Sequence, residues 1–180
     1  MDFLELVNAR QSVRKYDPRL VSRQDLISCV EAARLAPSAC NSQPWEFIVI
    51  DRSPLKEKVS EVALSGIYGM NTFIKEAPVL IAVVSYSFRI LTKIGGGLRD
   101  SSFYLIDLGI ACEHLVLKAA ELGLGTCWLG WFNEKAVKKV LKVGYGKRIH
   151  IMISLGYPAA DCAQRNKMRK ELKDVVKFMD

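Results

Sequence analysis

Histidine is almost missing from this chain: His114 and His150 are its only two, far apart and in apolar surroundings. A packed or solvent-edge role suits each better than a ligand or general base. Cysteine is too scattered to make a framework. Cys29, Cys40, Cys112, Cys127 and Cys162 are odd in number and form no C-x-x-C pair, which speaks against both a disulfide-stapled fold and a zinc site. Long apolar runs are lacking too. The longest, Ala77 to Val84, is strand-sized and well short of the about 20 residues a membrane helix needs. There is no P-loop and no G-x-G-x-x-G after a strand; Gly123-Leu124-Gly125 lacks the third glycine and follows a helical pattern. Repeats and low-complexity tracts are absent as well. The opening residues, Met1-Asp2-Phe3-Leu4-Glu5, are acidic and show no export signal. A cytoplasmic protein with no membrane partner is expected.

What is present suits one domain, expected over 1–180: half the residues are apolar and a quarter are charged. The net charge of +7 invites a nucleic-acid reading, but its clusters have other accounts and no nucleic-acid partner is expected. Lys135, Lys138, Lys139 and Lys142 line one helix as a solvated face. Arg165, Lys167, Arg169, Lys170 and Lys173 crowd the C-terminal segment without the spacing of a single amphipathic face.

Helix and strand patterns alternate. Ser22 caps a helix whose buried stripe is Leu26, Ile27, Val30 and Ala33, ending by Ala36 because Pro37 disfavours the α region before it. Glu46 to Ile50 is a strand; Ser53-Pro54 opens a helix from Leu55 to Ser65; Pro78 to Ser85 is a strand buried on both faces. Phe88 to Leu98, with Gly95-Gly96-Gly97, is either a lid over a site or a connecting loop. Asp100 to Leu122 is a long helix, apolar around most of its circumference and therefore central, stopped by Gly123 in the left-handed C′ position. A strand from Thr126 to Gly130, a helix from Asn133 to Val143 and a strand from Arg148 to Leu155 follow, and the tail closes as a helix. Few strands and long helices favour α+β or α/β.

Two constellations carry chemistry. In Arg10-Gln11-Ser12-Val13-Arg14 an extended backbone projects Arg10, Ser12 and Arg14 to one side. Two guanidinium forks and a hydroxyl suit a phosphate monoester, although they can also be plain surface groups. In Pro37-Ser38-Ala39-Cys40-Asn41-Ser42-Gln43-Pro44-Trp45 the two amides offer both donors and acceptors, enough to read a ring alternating C=O and N–H, such as a pyrimidine or the pyrimidine end of a flavin. Ser38, Ala39 and Cys40 are small enough to admit a flat ring. The alternative is a helix-to-strand turn with Asn41 and Ser42 as local caps.

These motifs, with Leu122 to Gly130 and Ser154-Leu155-Gly156-Tyr157-Pro158 in the same order and rough spacing, strongly resemble the nitroreductase family of FMN-dependent oxidoreductases. The resemblance covers almost the whole chain. It implies an α+β fold with a central mixed, mainly antiparallel sheet flanked by helices, the long buried helix at a homodimer interface, and two FMN sites each built from both chains. By the same resemblance Arg10, Ser12 and Arg14 hold the FMN phosphate and ribityl chain, and Lys167 and Arg169 form a second basic clamp, with Arg165 and Lys170 beside them. Asn71 contacts the flavin. Pro37, Ser38, Ala39, Cys40, Asn41 and Gln43 come from the other subunit, and backbone around Trp128, Leu129 and Gly130 approaches N5. NADH or NADPH supplies electrons to a nitroaromatic, quinone or similar acceptor, and no catalytic side chain is expected because the cofactor carries the chemistry; the alternatives are another reaction on the same fold, such as reductive dehalogenation or flavin fragmentation, or a non-catalytic flavin-binding protein. The helical cover over the substrate side is reduced to roughly Ser65 to Tyr68 and Phe88 to Gly97. Phe88, Tyr68 and Trp131 either wall an acceptor site or are ordinary core. Cys40 and Cys127 are expected to pack rather than react.

Overall fold

The computed structural model describes residues 1–86 and 103–179. Four strands, β1 (Glu46–Ile50), β2 (Val79–Tyr86), β3 (Gly125–Leu129) and β4 (Lys147–Gly156), form one sheet in the order β1-β2-β4-β3. All three pairings are antiparallel. Among the described residues the expected mixed character is confined to one isolated parallel bridge, Ser12 to Thr126. The helices are α1 (Phe3–Ala9), α2 (Arg23–Arg34), α3 (Leu55–Ala63), α4 (Phe103–Glu121) and α5 (Glu134–Leu141), and the architecture is α+β as expected.

Strand alternation sorts the core into two layers. Val79, Ile81, Val83, Ile153 and Leu155 face α2 and α4, where Leu26, Cys29, Leu108, Cys112 and Leu115 meet them. Leu80, Ala82, Val84, Met152 and Ile149 face the other way, toward Val59, Ala63, Val137 and Ile74. Because β2 is central and covered on both sides, seven of its eight residues are buried. Each such Leu or Ile contributes about 1.5–3 kcal/mol on burial. This sandwich leaves β3 as an edge strand lying against the N-terminal segment, and that edge positions the site.

Local signals explain most boundaries. Ser22 accepts the Asp25 N–H and starts α2; Asn133 accepts from Ala136 and starts α5; Gly123, at φ 73°, ends α4. Asp2 and Glu5 form a reciprocal capping box that starts α1, a helix the sequence reading omitted although its D-x-x-E signal is present. The buried stripe of α2 needs correction. It is Leu26, Cys29 and Ala33, while Ile27 is 53% exposed and Val30 half-buried. Ile27 instead borders an open surface groove beside Arg23, Val30 and Glu31. Ser53 makes no backbone cap; its hydroxyl donates to the Glu57 carboxylate instead. The tail is not a helix. Apart from a 3₁₀ turn at Leu172–Asp174 its described residues form no helix, and Gln164 and Arg165 bond to the N-terminal segment. The Phe88–Leu98 stretch and the Asp100 start of the long helix lie outside the described residues.

Candidate functional site

The N-terminal segment runs along the outer edge of β3. Val13 donates its N–H to the Thr126 carbonyl at 2.8 Å and buries its side chain. Gly125 makes the approach possible, since a Cβ there would sit 2.5 Å from Val13 Cγ2. Tyr16 locks the segment from below, its hydroxyl on the Val13 carbonyl at 2.9 Å and on Ser154 Oγ at 2.7 Å. Burial raises its phenol far above the usual range, so it stays neutral. With Val13 turned inward, alternation turns Ser12 and Arg14 outward, as the spacing predicts. Arg14 lies over the Phe73 ring at 5.7 Å, and Arg10 Nε is 3.9 Å from Glu113 of α4.

The tail returns to the same place. Arg165 donates to the Ser12 carbonyl at 2.5 Å, and its backbone N–H to Gln11 Oε1 at 3.1 Å. Gln164 holds the Ala9 carbonyl at 3.2 Å, and Lys167 donates to the Val7 carbonyl. Partial burial, then Arg10 and Arg169, press the Lys167 ammonium below its ordinary pKa. Arg10, Arg14, Arg165, Lys167 and Arg169 thus converge around one segment. Glu113, at a loose 3.9 Å from Arg10, is the one carboxylate paired with any of them among the described residues. Such a cluster favours a multiply charged anion. Cys127 lies within reach of Ser12, Arg14 and Arg165, yet burial outweighs them and raises its thiol pKa; it packs, as expected.

The neutral end is the 37–43 loop. Cys40 and Asn41 both sit at φ 52° and Gln43 at φ 44°. None is glycine, and left-handed residues of this kind cost on the order of 1–3 kcal/mol each. The loop is held by few bonds. Gln43 N–H donates to Ser38 Oγ at 2.9 Å, Gln43 Nε2 reaches both acceptors of Asn41 at 3.2 Å, and Ala39 N–H donates to Asp107 Oδ1 of α4 at 3.0 Å. Buried Pro44 and half-buried Trp45 anchor the exit. The Asn41 and Ser42 N–H groups donate to the Ser38 and Ala39 carbonyls at 3.0 Å and close a short 3₁₀ turn that Ser42 ends, so the local-turn alternative is met in part through backbone bonds. Asn41 and Gln43 remain exposed and spend only part of their amide capacity on each other.

Next to the basic end lies the open side of β3. The Thr126 carbonyl points to the outer edge, so the period of two turns the backbone of Trp128 outward too. Leu129 is buried and has only backbone to offer, while Gly130 is exposed with open space around it. Asn71 donates to the Trp131 carbonyl at 3.2 Å, Trp131 Nε1 reaches the Ile67 carbonyl at 3.4 Å, and the Tyr68 and Trp131 rings meet at 5.0 Å. Two of the three aromatics read as either an acceptor wall or ordinary core come together in this way; Phe88 lies outside the described residues.

A model described as the nitroreductase family matches residues 7–157, which span both constellations and the β3 edge. The chain belongs to the nitroreductase family. Family members are FMN-dependent oxidoreductases, so the resemblance carried by the motifs is borne out. A protein of Methanothermobacter thermautotrophicus named as an NADH dehydrogenase/NAD(P)H nitroreductase is 33% identical over 170 residues, covering 92% of this chain and 82% of the relative. An iodotyrosine deiodinase of Danio rerio is 24% identical over 197 residues, covering 97% of this chain and 66% of the relative. The solved structure of an FMN-dependent nitroreductase from Clostridium difficile superposes with a TM-score of 0.75 at 26% identity, covering 99% of each chain.

Within one nitroreductase chain, the predicted residues fall into three separate groups. Arg10, Ser12, Arg14, Lys167 and Arg169 gather at the basic end, and Asn71 sits with Trp128, Leu129 and Gly130 at the far end of β3. Pro37, Ser38, Ala39, Cys40, Asn41 and Gln43 stand apart, and no hydrogen bond among the described residues joins them to either group. Sequence reasoning missed Gln11, Gln164 and Asp107. The signal for Asp107 was a carboxylate set among Leu105, Ile106, Leu108 and Ile110 in the apolar first half of α4.

Proposed function

We propose that this chain binds FMN along the outer edge of β3 and acts as a homodimeric oxidoreductase that uses NADH or NADPH to reduce a nitroaromatic, a quinone or a similar flat conjugated acceptor. When bound, FMN accepts hydride from the nicotinamide and delivers electrons to the acceptor. The protein's share is binding and orientation. Arg10, Ser12, Arg14, Lys167 and Arg169 hold the phosphate and ribityl chain, with Arg165 bracing Ser12 from behind. Backbone at Trp128 and Gly130 faces the ring, and Asn71 braces the turn beyond. From the second chain, Pro37, Ser38, Ala39, Cys40, Asn41 and Gln43 offer a small, flat approach and amides for the pyrimidine edge. Tyr68 and Trp131 form an aromatic floor for the acceptor.

The observation that carries this reading is the gathering of arginines and lysine on the edge strand of a nitroreductase-family fold, with free backbone next to it. The dimer is supported by α4. Asp107, which holds the loop, and Glu113, which faces Arg10, are six residues apart, hence about 120° apart around the helix. One chain therefore sends its two ends in different directions, and Phe103, Leu105 and Ile106 stay exposed for a partner. We place the enzyme in the cytoplasm, which its unpaired cysteines suit; among the described residues no helix is long and apolar enough to cross a membrane. The deiodinase likeness favours one second reading, reductive dehalogenation of an aromatic on the same flavin. Anaerobic mixing of the yellow protein with NADH and with NADPH, followed by an acceptor panel, tests both. Bleaching by a nicotinamide and recolouring by nitroaromatics or quinones supports the first; recolouring only by halogenated phenols supports the second. Flavin that no nicotinamide bleaches contradicts the donor assignment.

A further inference from the structure

From the buried side of the 37–43 loop we infer that Asp107 is the positioning residue that holds the loop in its left-handed form for the coenzyme ring. This rests on the FMN reading above. Asp107 is only 4% exposed and stands in a helix stretch otherwise made of Leu105, Ile106, Leu108 and Ile110. Its Oδ1 accepts the Ala39 N–H at 3.0 Å, and its Oδ2 is buried with no partner among the described residues. A carboxylate with one oxygen unsatisfied is a poor stabiliser of a core, since burying an unpartnered acceptor is costly. Its single bond lands next to Cys40, Asn41 and Gln43, the cluster of non-glycine residues with positive φ. Backbone strain and an uncompensated buried oxygen at one spot mark geometry kept for binding rather than for folding. Asp107 touches no ligand itself. It fixes Ala39, and Ala39 fixes where the exposed amides of Asn41 and Gln43 point.

The experiment titrates apoprotein with FMN and with riboflavin, which share the ring but differ in the phosphate, and follows thermal unfolding of each apoprotein. In Asp107→Ala the affinity for both flavins falls by the same factor, roughly tenfold or more, as losing a bond to a charged group implies. Asp107→Asn keeps the acceptor and restores binding of both flavins. Ala39→Pro replaces the N–H with a ring carbon to which Asp107 cannot bond, and Ser38 is already extended (φ −145°, ψ 155°) as a residue before proline must be. It reproduces the loss, adds nothing to Asp107→Ala in the double variant, and serves if Asp107→Ala does not fold. Wild-type affinity in Asp107→Ala or Ala39→Pro overturns the inference, as does a lowered melting temperature with binding intact. Failure of Asp107→Asn to restore binding also overturns it. A wild-type protein that binds neither flavin overturns the FMN reading itself, and this inference with it.

Discussion

The basic end of the site, residues 10–14 with 163–169, and the neutral loop, residues 37–43, are both exposed but are held in opposite ways. The basic end is unstrained and redundant: several side chains of the tail each clasp a different backbone carbonyl of the N-terminal segment. The loop is strained at Cys40, Asn41 and Gln43 and, among the described residues, one hydrogen bond ties it to the body of the protein, Ala39 to Asp107. Charge recognition tolerates movement, because Coulomb attraction falls slowly with distance. Reading a ring edge by amide hydrogen bonds does not, because such bonds weaken steeply with angle. The difference in construction follows from that difference in tolerance.

Substitutions can break the comparison or sharpen it. The largest effect is expected from Gly125→Leu, whose Cβ would collide with Val13 at 2.5 Å. It detaches the N-terminal segment from β3, costs about 1–3 kcal/mol as overpacking does, and abolishes binding of FMN and riboflavin alike; thermal unfolding and flavin titration read both. Next, Arg14→Ala removes one cation from the redundant end. FMN affinity falls about 10- to 100-fold, the worth of a charge-assisted bond, while riboflavin affinity stays at the wild-type level. Equal losses for the two ligands would show that the phosphate does not lie there. Smaller is Cys40→Gly, which relieves about 1–2 kcal/mol of left-handed strain against about 0.5–1 kcal/mol of added chain entropy. The apoprotein should melt ~1–2 °C higher and bind riboflavin more weakly. The smallest effect is a pH dependence. Lys167 has its pKa lowered in the folded chain from 10.5. Between the folded value and 10.5 the folded state binds fewer protons than the unfolded one, so this group makes stability rise with pH in that window. FMN affinity falls over the same window as the cation is lost, and Lys167→Met should remove that part of the profile.

How much of this was legible in the sequence depended on whether a signal was local. Strand β1 and the caps Ser22, Asn133 and Gly123 were written in short patterns and stand where those patterns put them. The outward alternation of Ser12 and Arg14 was equally readable, because Val13 is the apolar residue between them. Long-range facts were not. That the tail unwinds to bond residues 7–12 depends on acceptors more than 150 positions away, and a local helical pattern cannot report it. Ile27 looked buried because its apolar spacing fits a wider stripe than α4 covers. Positive φ at Cys40, Asn41 and Gln43 had no glycine to announce it, and Asp107 is visible only once α4 is laid against the loop.

The central claim is that one FMN is gripped by the basic end of one chain and the loop of another. Mixed dimers test it most directly. An Arg14→Ala chain and an Asp107→Ala chain, each weak in flavin binding alone, are refolded together and the heterodimer is isolated by distinct tags. Sites shared between chains leave one site with both defects and one with neither, so the account predicts one tightly bound FMN per heterodimer. A heterodimer that binds no FMN tightly would mean that each site lies within a single chain, and would contradict the account.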